Sequence, residues 1–162
     1  MRIGILSDTH DKLERTRIAV DLMMAAGAES LFHCGDLTRP SILEACAVAP
    51  LYFTLGNNDA DAVTELKAAG KELGAICVDW GGIIHLAEKR IGLFHGHLTT
   101  DRRRVMSFRP DYLLSGHSHI RADNREDSVR RINPGALHRA DHFTVAILDL
   151  ASDELQFLAV PR

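Results

Sequence analysis

Seven side chains able to hold a metal ion stand just beyond short apolar runs of this chain. Asp8 and His10 follow Ile3 to Leu6, Asp36 follows Leu31 to Cys34, Asn57 follows Leu51 to Leu55, His97 follows Arg90 to Phe94, and His117 and His119 follow Tyr112 to Leu114. A glycine usually sits beside them (Gly35, Gly56, Gly96, Gly116), permitting the tight turns and close backbone approach of a crowded site. The donors are carboxylate, amide and imidazole with no thiolate, a set that suits manganese, iron, cobalt, nickel or zinc. Seven ligands exceed what one ion takes, but they fit two ions if one carboxylate bridges. Two cations about 3.5–4 Å apart are the arrangement used for phosphoryl displacement.

Each piece alone has a plainer meaning. Asp8-Thr9-His10 reads as a helix-capping loop, and Gly35-Asp36 and Gly56-Asn57 are ordinary turn sequences. The argument rests on their recurrence at one place relative to an apolar run. No Ser or Cys arrangement competes as a nucleophile.

The elements that must position these residues alternate in the first half and change rhythm in the second. Strand-like runs at Ile3 to Leu6, Leu31 to Cys34 and Leu51 to Leu55 are separated by helix-like segments. One helix is expected from Lys12 to Ala26, one opening at Pro40 and one from Ala62 to Leu73. Beyond them, strands are expected at Ile76 to Val78, Gly82 to Leu86, Arg90 to Phe94, Tyr112 to Leu114, Val129 to Ile132, Thr144 to Leu150 and Leu155 to Val160, with a short helix from Asp101 to Phe108. This pattern fits a mixed sheet flanked by helices, or two packed sheets. In such sheets ligands bind at the carboxyl ends of strands, so residues far apart in sequence converge there.

With 162 residues, 46% apolar and 25% charged, the chain suits one domain over residues 1–162 and excludes disorder. A formal net charge of −3 gives no strong nucleic-acid signal. Cys34, Cys46 and Cys77 form no C-x-x-C and read as small core residues. The amino-terminal apolar run is too short for a signal peptide, and no window approaches the ~18 apolar residues of a membrane span, so a cytoplasmic location and no membrane partner are expected.

Taken in order, D-x-H, G-D, G-N-x-D, G-H and G-H-x-H resemble the calcineurin-like metallophosphoesterase superfamily. The His95-Gly96-His97 and Ile132-Asn133-Pro134-Gly135 segments resemble its small single-domain phosphodiesterase branch. The resemblance implies an α/β fold, a four-layer α/β/β/α sandwich of two mixed sheets flanked by helices. It places Asp8, His10 and His119 on a first metal and Asn57, His97 and His117 on a second, with Asp36 bridging. It implies two divalent ions per chain, manganese first, with nickel, zinc, iron or cobalt as alternatives. The implied function is hydrolysis of a small phosphate ester by a hydroxide bridging the metals; a homo-oligomer is compatible with it. Two alternatives share the fold: a protein-interaction scaffold with a vestigial site, and a nucleotide-directed hydrolase or nuclease. The complete ligand set argues against the scaffold.

Asn58 and Asp59 are the expected catalytic residues, and Asn58 and His95 the expected substrate contacts, with His95 also able to orient a ligand. Asn58 departs from the family pattern, in which His, or Cys in the small branch, occupies that position. An amide can donate a hydrogen bond to phosphate but has no proton to give a leaving group. His33 reads as a satisfied core residue, His138 and His142 as residues within reach of substrate, and Arg102-Arg103-Arg104 as a solvated helix face.

Overall fold

The computed structural model describes residues Met1–Arg162. One six-stranded sheet has the order β11 (Glu154–Ala159), β10 (Thr144–Asp149), β1 (Arg2–Leu6), β2 (Ser30–His33), β3 (Leu51–Phe53) and β4 (Ile76–Cys77). A five-stranded sheet has the order β5 (Gly81–Leu86), β6 (Lys89–Phe94), β7 (Tyr112–Leu114), β9 (Val129–Asn133) and β8 (Ala122–Glu126). Both sheets are mixed. β1 to β4 run parallel while β10 and β11 pair antiparallel, and β6, β7 and β9 run parallel between antiparallel edge strands.

Strand alternation explains the layers. Ile3, Ile5 and Phe32 from the first sheet meet Ile91, Leu93, Tyr112, Leu114 and Ile132 from the second, forming the apolar core between the sheets. The intervening Leu6 and Leu31 face the other way, against helices α1 (Leu13–Ala25), α2 (Pro40–Cys46) and α3 (Val63–Glu72). On the far face of the second sheet, Phe94 and Leu113 pack on Val105 of α4 (Thr99–Ser107). The result is the expected α/β/β/α sandwich. Phe32 is fully buried at its centre, and truncation to Ala would cost about 3–5 kcal/mol.

Gly4 shows why the first strand needs a gap in its apolar run. A Cβ there would lie 2.6 Å from Leu31 and 2.9 Å from the Met23 sulfur, so both side chains would have to shift for α1 to sit on the sheet. The structure also adds a strand that the sequence pattern hid. β8, Ala-Asp-Asn-Arg-Glu, is an exposed edge strand without apolar alternation. A 3-10 segment, Asn57–Ala62, precedes α3, and α4 starts two residues earlier than its charge pattern suggests. No helix is long and apolar enough to cross a membrane.

Candidate metal centre

Parallel strands β1, β2, β3, β6 and β7 deliver their carboxyl-terminal loops to one rim of the sandwich. These loops are tightly wound. Asp8, His10, Asp36, His117 and His119 all have φ between 47° and 66°, a left-handed conformation that costs non-glycine residues energy. Two glycines show how close the loops come. A Cβ on Gly56 would lie 2.2 Å from Asp36 Oδ1, and one on Gly116 would collide with Ser7 Oγ and lie 2.6 Å from Asp8 Oδ2.

Two overlapping donor groups result: Asp8, His10 and His119, and Asp8, Asp36 and His95, with the ligand atoms of each group within 4.8 Å of one another. In the first, His119 Nε2 lies 3.2 Å from Asp8 Oδ1. The other nitrogen of His119, Nδ1, is 3.1 Å from the Arg139 carbonyl. An N–H donated there leaves the Nε2 lone pair facing Asp8, the way metal-bound imidazoles are oriented. His10 Nε2 is 3.7 Å from Asp36 Oδ2, so the first group adjoins the second.

In the second group, His95 Nε2 lies 3.4 Å from Asp36 Oδ2, 3.9 Å from Asp8 Oδ1 and 3.1 Å from Asn57 Oδ1. Its Nδ1 is 2.8 Å from the Cys34 carbonyl, the same orienting contact that His119 has. His97, expected as the ligand of this motif, sits one ring further out. Its ring is 5.5 Å from that of His95, 6.1 Å from His117 and 6.0 Å from Trp80. Its buried Nδ1 has no partner to orient it. Strand parity explains the difference. Ile91 and Leu93 point between the sheets and His95 continues that face, whereas Gly96, at φ 116°, turns the chain before His97. His95 is thus placed among the donors rather than only at the substrate side.

His117 holds the rim by its backbone, donating its N–H to Asp8 Oδ2 at 3.0 Å, with its ring 5.1 Å from His95. Asn133 pins this loop from below, its amide donating to the Gly116 carbonyl and Ser118 Oγ while its Oδ1 accepts from Gly135 N–H.

Asn58 turns its amide inward, donating from Nδ2 to Asp36 Oδ2 at 2.7 Å and from its backbone to Asp36 Oδ1 at 2.8 Å. Burial opposes ionisation of Asp36, but hydrogen bonding from His95 and Asn58 outweighs it and holds the carboxyl well below its usual range. His95 answers in the opposite sense: burial disfavours its charge, yet Asp36 and Asp8 raise its pKa. Burial lowers the pKa of His10 and of His97.

Asp59, expected as catalytic, is fully buried. Its carboxylate accepts the backbone N–H groups of Gly56, Thr38 and Asp36 at 2.7, 2.7 and 2.9 Å. It therefore ties the Asp36 and Asn57 loops together, and burial raises its pKa despite those bonds. His33 is a satisfied core residue as expected, accepting from Gly35 N–H at Nδ1 and contacting Thr9 Oγ1 at 3.0 Å through Nε2. Burial brings its pKa down to about 3, so it stays neutral. His138 lies against His10 with ring centroids 4.3 Å apart and the rings tilted by 46°, while His142 is exposed beside His119.

The rim fits divalent cations on an observation independent of motif. Asp8 Oδ1 and His10 Nε2 are buried without any hydrogen-bond partner. Buried polar atoms are nearly always satisfied, so such a pair marks a place for a ligand.

Similarity to known proteins shows the family and the fold. The model of the calcineurin-like phosphoesterase superfamily domain matches residues 1–153. A phosphodiesterase of Methanocaldococcus jannaschii is 29% identical over 160 residues, covering 95% of this chain and 96% of its own. A probable metallophosphoesterase of Methanothermobacter thermautotrophicus is 28% identical over 144 residues, covering 84% of this chain and 77% of its own. The solved structure of an archaeal phosphodiesterase superposes with a TM-score of 0.88 at 28% identity, covering 99% of this chain and all of that one. A zinc complex of Vps29 from Entamoeba histolytica, 15% identical with a TM-score of 0.59, covers 99% of this chain and 98% of its own and shares the fold alone. The chain belongs to the calcineurin-like phosphoesterase superfamily, and with relatives named phosphodiesterase and metallophosphoesterase it is a metal-dependent phosphoester hydrolase.

Proposed function

We propose that this chain is a phosphodiesterase that uses two divalent cations, manganese first among them, on a small phosphate ester. The observation that carries the reading is the pair of donor groups sharing Asp8, with two buried polar atoms left unsatisfied between them. Asp8, His10 and His119 would hold one cation and Asp36, Asn57, His95 and His117 the other, with Asp36 able to serve both. His97 lies at the outer edge of this set, beside Trp80. When bound, the cations supply a deprotonated water near neutral pH and offset charge on the phosphate oxygens.

The chain's own groups do the rest. His119 and His95 are fixed in orientation by the carbonyls of Arg139 and Cys34. Asp59 and Asn133 hold the loops in register, so the donors need little reorganisation on binding. Asn58 is held against Asp36 through an amide that cannot act as an acid, so leaving-group protonation contributes little. Aryl esters such as bis(p-nitrophenyl) phosphate are therefore expected to turn over much faster than alkyl diesters.

The test is hydrolysis of both ester types by chain loaded with Mn²⁺ or Ni²⁺, alongside metal content. Metal bound with no turnover of any phosphate ester would point to the interaction scaffold instead. Equal rates on the two ester types would refute the missing-acid argument.

A further inference from the structure

Behind His117, on the outer side of the second sheet, lies a cavity of about 270 Å³ that the proposed chemistry does not use. Its walls include Arg102 of α4, Asn124 of β8, Arg131 of β9, and Thr99, His117 and Ser118. No carboxylate lines it. The two guanidiniums are not free to swing. Arg102 donates to both Glu126 oxygens and Arg131 donates to Glu126 Oε2 at 2.8 Å, so one carboxylate outside the lining holds both in place. Two cations against one anion leave an uncompensated positive charge. The Arg102 Nε is also buried without a partner. Asn124, Thr99 and Ser118 add neutral hydrogen-bonding groups of the kind that complete an anion's shell. The cavity and the metal centre share a wall, because His117 lines the one and binds Asp8 through its N–H in the other.

We propose that this cavity is a specificity subsite for a phosphodiester whose one ester arm ends in an anionic group, phosphate or carboxylate, gripped by Arg102 and Arg131. The inference rests on the phosphodiesterase reading and narrows its substrate class. Guanidiniums pre-aligned by Glu126 lose little freedom on binding such a group, and their planar donors suit its paired oxygens. The sequence run Arg102-Arg103-Arg104 divides accordingly: Arg102 faces the cavity, Arg103 is exposed, and Arg104 turns to Asp101.

The experiment compares three substrates of the metal-loaded protein: bis(p-nitrophenyl) phosphate, a p-nitrophenyl diester whose second arm ends in phosphate, and the same diester ending in a hydroxyl. Arg131→Gln and Arg102→Gln are each expected to raise KM for the phosphate-ended ester about tenfold, leaving its kcat and the kinetics of the two esters without a charged arm within about twofold. Arg102→Lys is expected to recover part of the loss. Equal effects on all three esters would mean that the arginines only support the fold, and no effect on any would empty the cavity of this role; either overturns the subsite while leaving the hydrolase intact. If the wild type hydrolyses none of them, the phosphodiesterase reading itself falls, and the subsite with it.

Discussion

The two ends of this sandwich each gather charged side chains, but they treat them differently. At the end opposite the metal rim, Arg130, only 10% exposed, donates to both oxygens of Asp123 and to Asp153, and Asp153 also accepts from Tyr112 and Arg125. Every charge there meets its opposite. Arg130 holds the Asp123 carboxyl below the usual range, and its bonds with Tyr112 and Arg130 do the same for Asp153 against burial. At the rim, by contrast, two carboxylates and a crowd of imidazoles converge, with Asp8 Oδ1 and His10 Nε2 buried and unpartnered. One cluster is complete without a ligand, and the other is not. That contrast separates polar groups that hold the fold from polar groups that await a cation.

Several substitutions would break or sharpen this contrast. The largest effect is expected from Asp36→Ala, which removes the carboxylate proposed to serve both cations; hydrolysis of bis(p-nitrophenyl) phosphate should fall roughly 100-fold or more, while the metal-free protein still folds. His95→Ala is expected to lose a comparable part of the activity together with bound metal, whereas His97→Ala should keep its metal content. The reverse ranking, read by metal analysis of both variants, would return the ligand role to His97.

At the other end, Arg130→Met leaves Asp123 without its cation and Asp153 with Arg125 alone. A loss of roughly 2 kcal/mol in denaturant unfolding is expected, with unchanged turnover once the protein is folded and loaded. Added Mn²⁺ should stabilise wild type and Arg130→Met alike, by about 2.7 kcal/mol at a hundred times Kd, and should stabilise Asp36→Ala less. Similar gains in all three, measured by thermal unfolding with and without the ion, would deny that the rim is where metal binds.

The smallest effect concerns pH. His33 has a folded-state pKa of about 3 against 6.5 for the free side chain, because burial penalises its charged form. The unfolded chain therefore takes up more protons between those values, and metal-free stability should decline as pH falls through 6.5 toward about 3. His33→Gln should make that decline shallower, as checked by unfolding curves over the same range.

Much of this architecture was legible because a polar side chain, usually beside a glycine, closes each inner strand. Asp8, His10, Asp36 and His119 could be read that way, since each lies where an apolar run must turn. The choice between His95 and His97 could not be made from motif alone. Both flank Gly96, and only the register of β6, which sets His95 on the face of Ile91 and Leu93, separates them; strand parity carried that signal. Asp59, expected as catalytic from the G-N-x-D pattern, has a structural setting that no motif could reveal. The 3-10 turn instead folds its carboxylate back onto the backbone N–H groups of Gly56, Thr38 and Asp36. β8 and the Arg130 cluster left no periodic signal, because an exposed edge strand and a charge network depend on partners distant in sequence.

The claim on which the rest depends is that the rim holds a pair of cations through a shared Asp36. Metal titration with elemental analysis of wild type and Asp36→Ala tests it directly. About two tightly held divalent ions per wild-type chain, and a clear loss from the variant, are the predicted result. Wild type that binds no divalent ion, or a variant that binds as many as wild type, would contradict it.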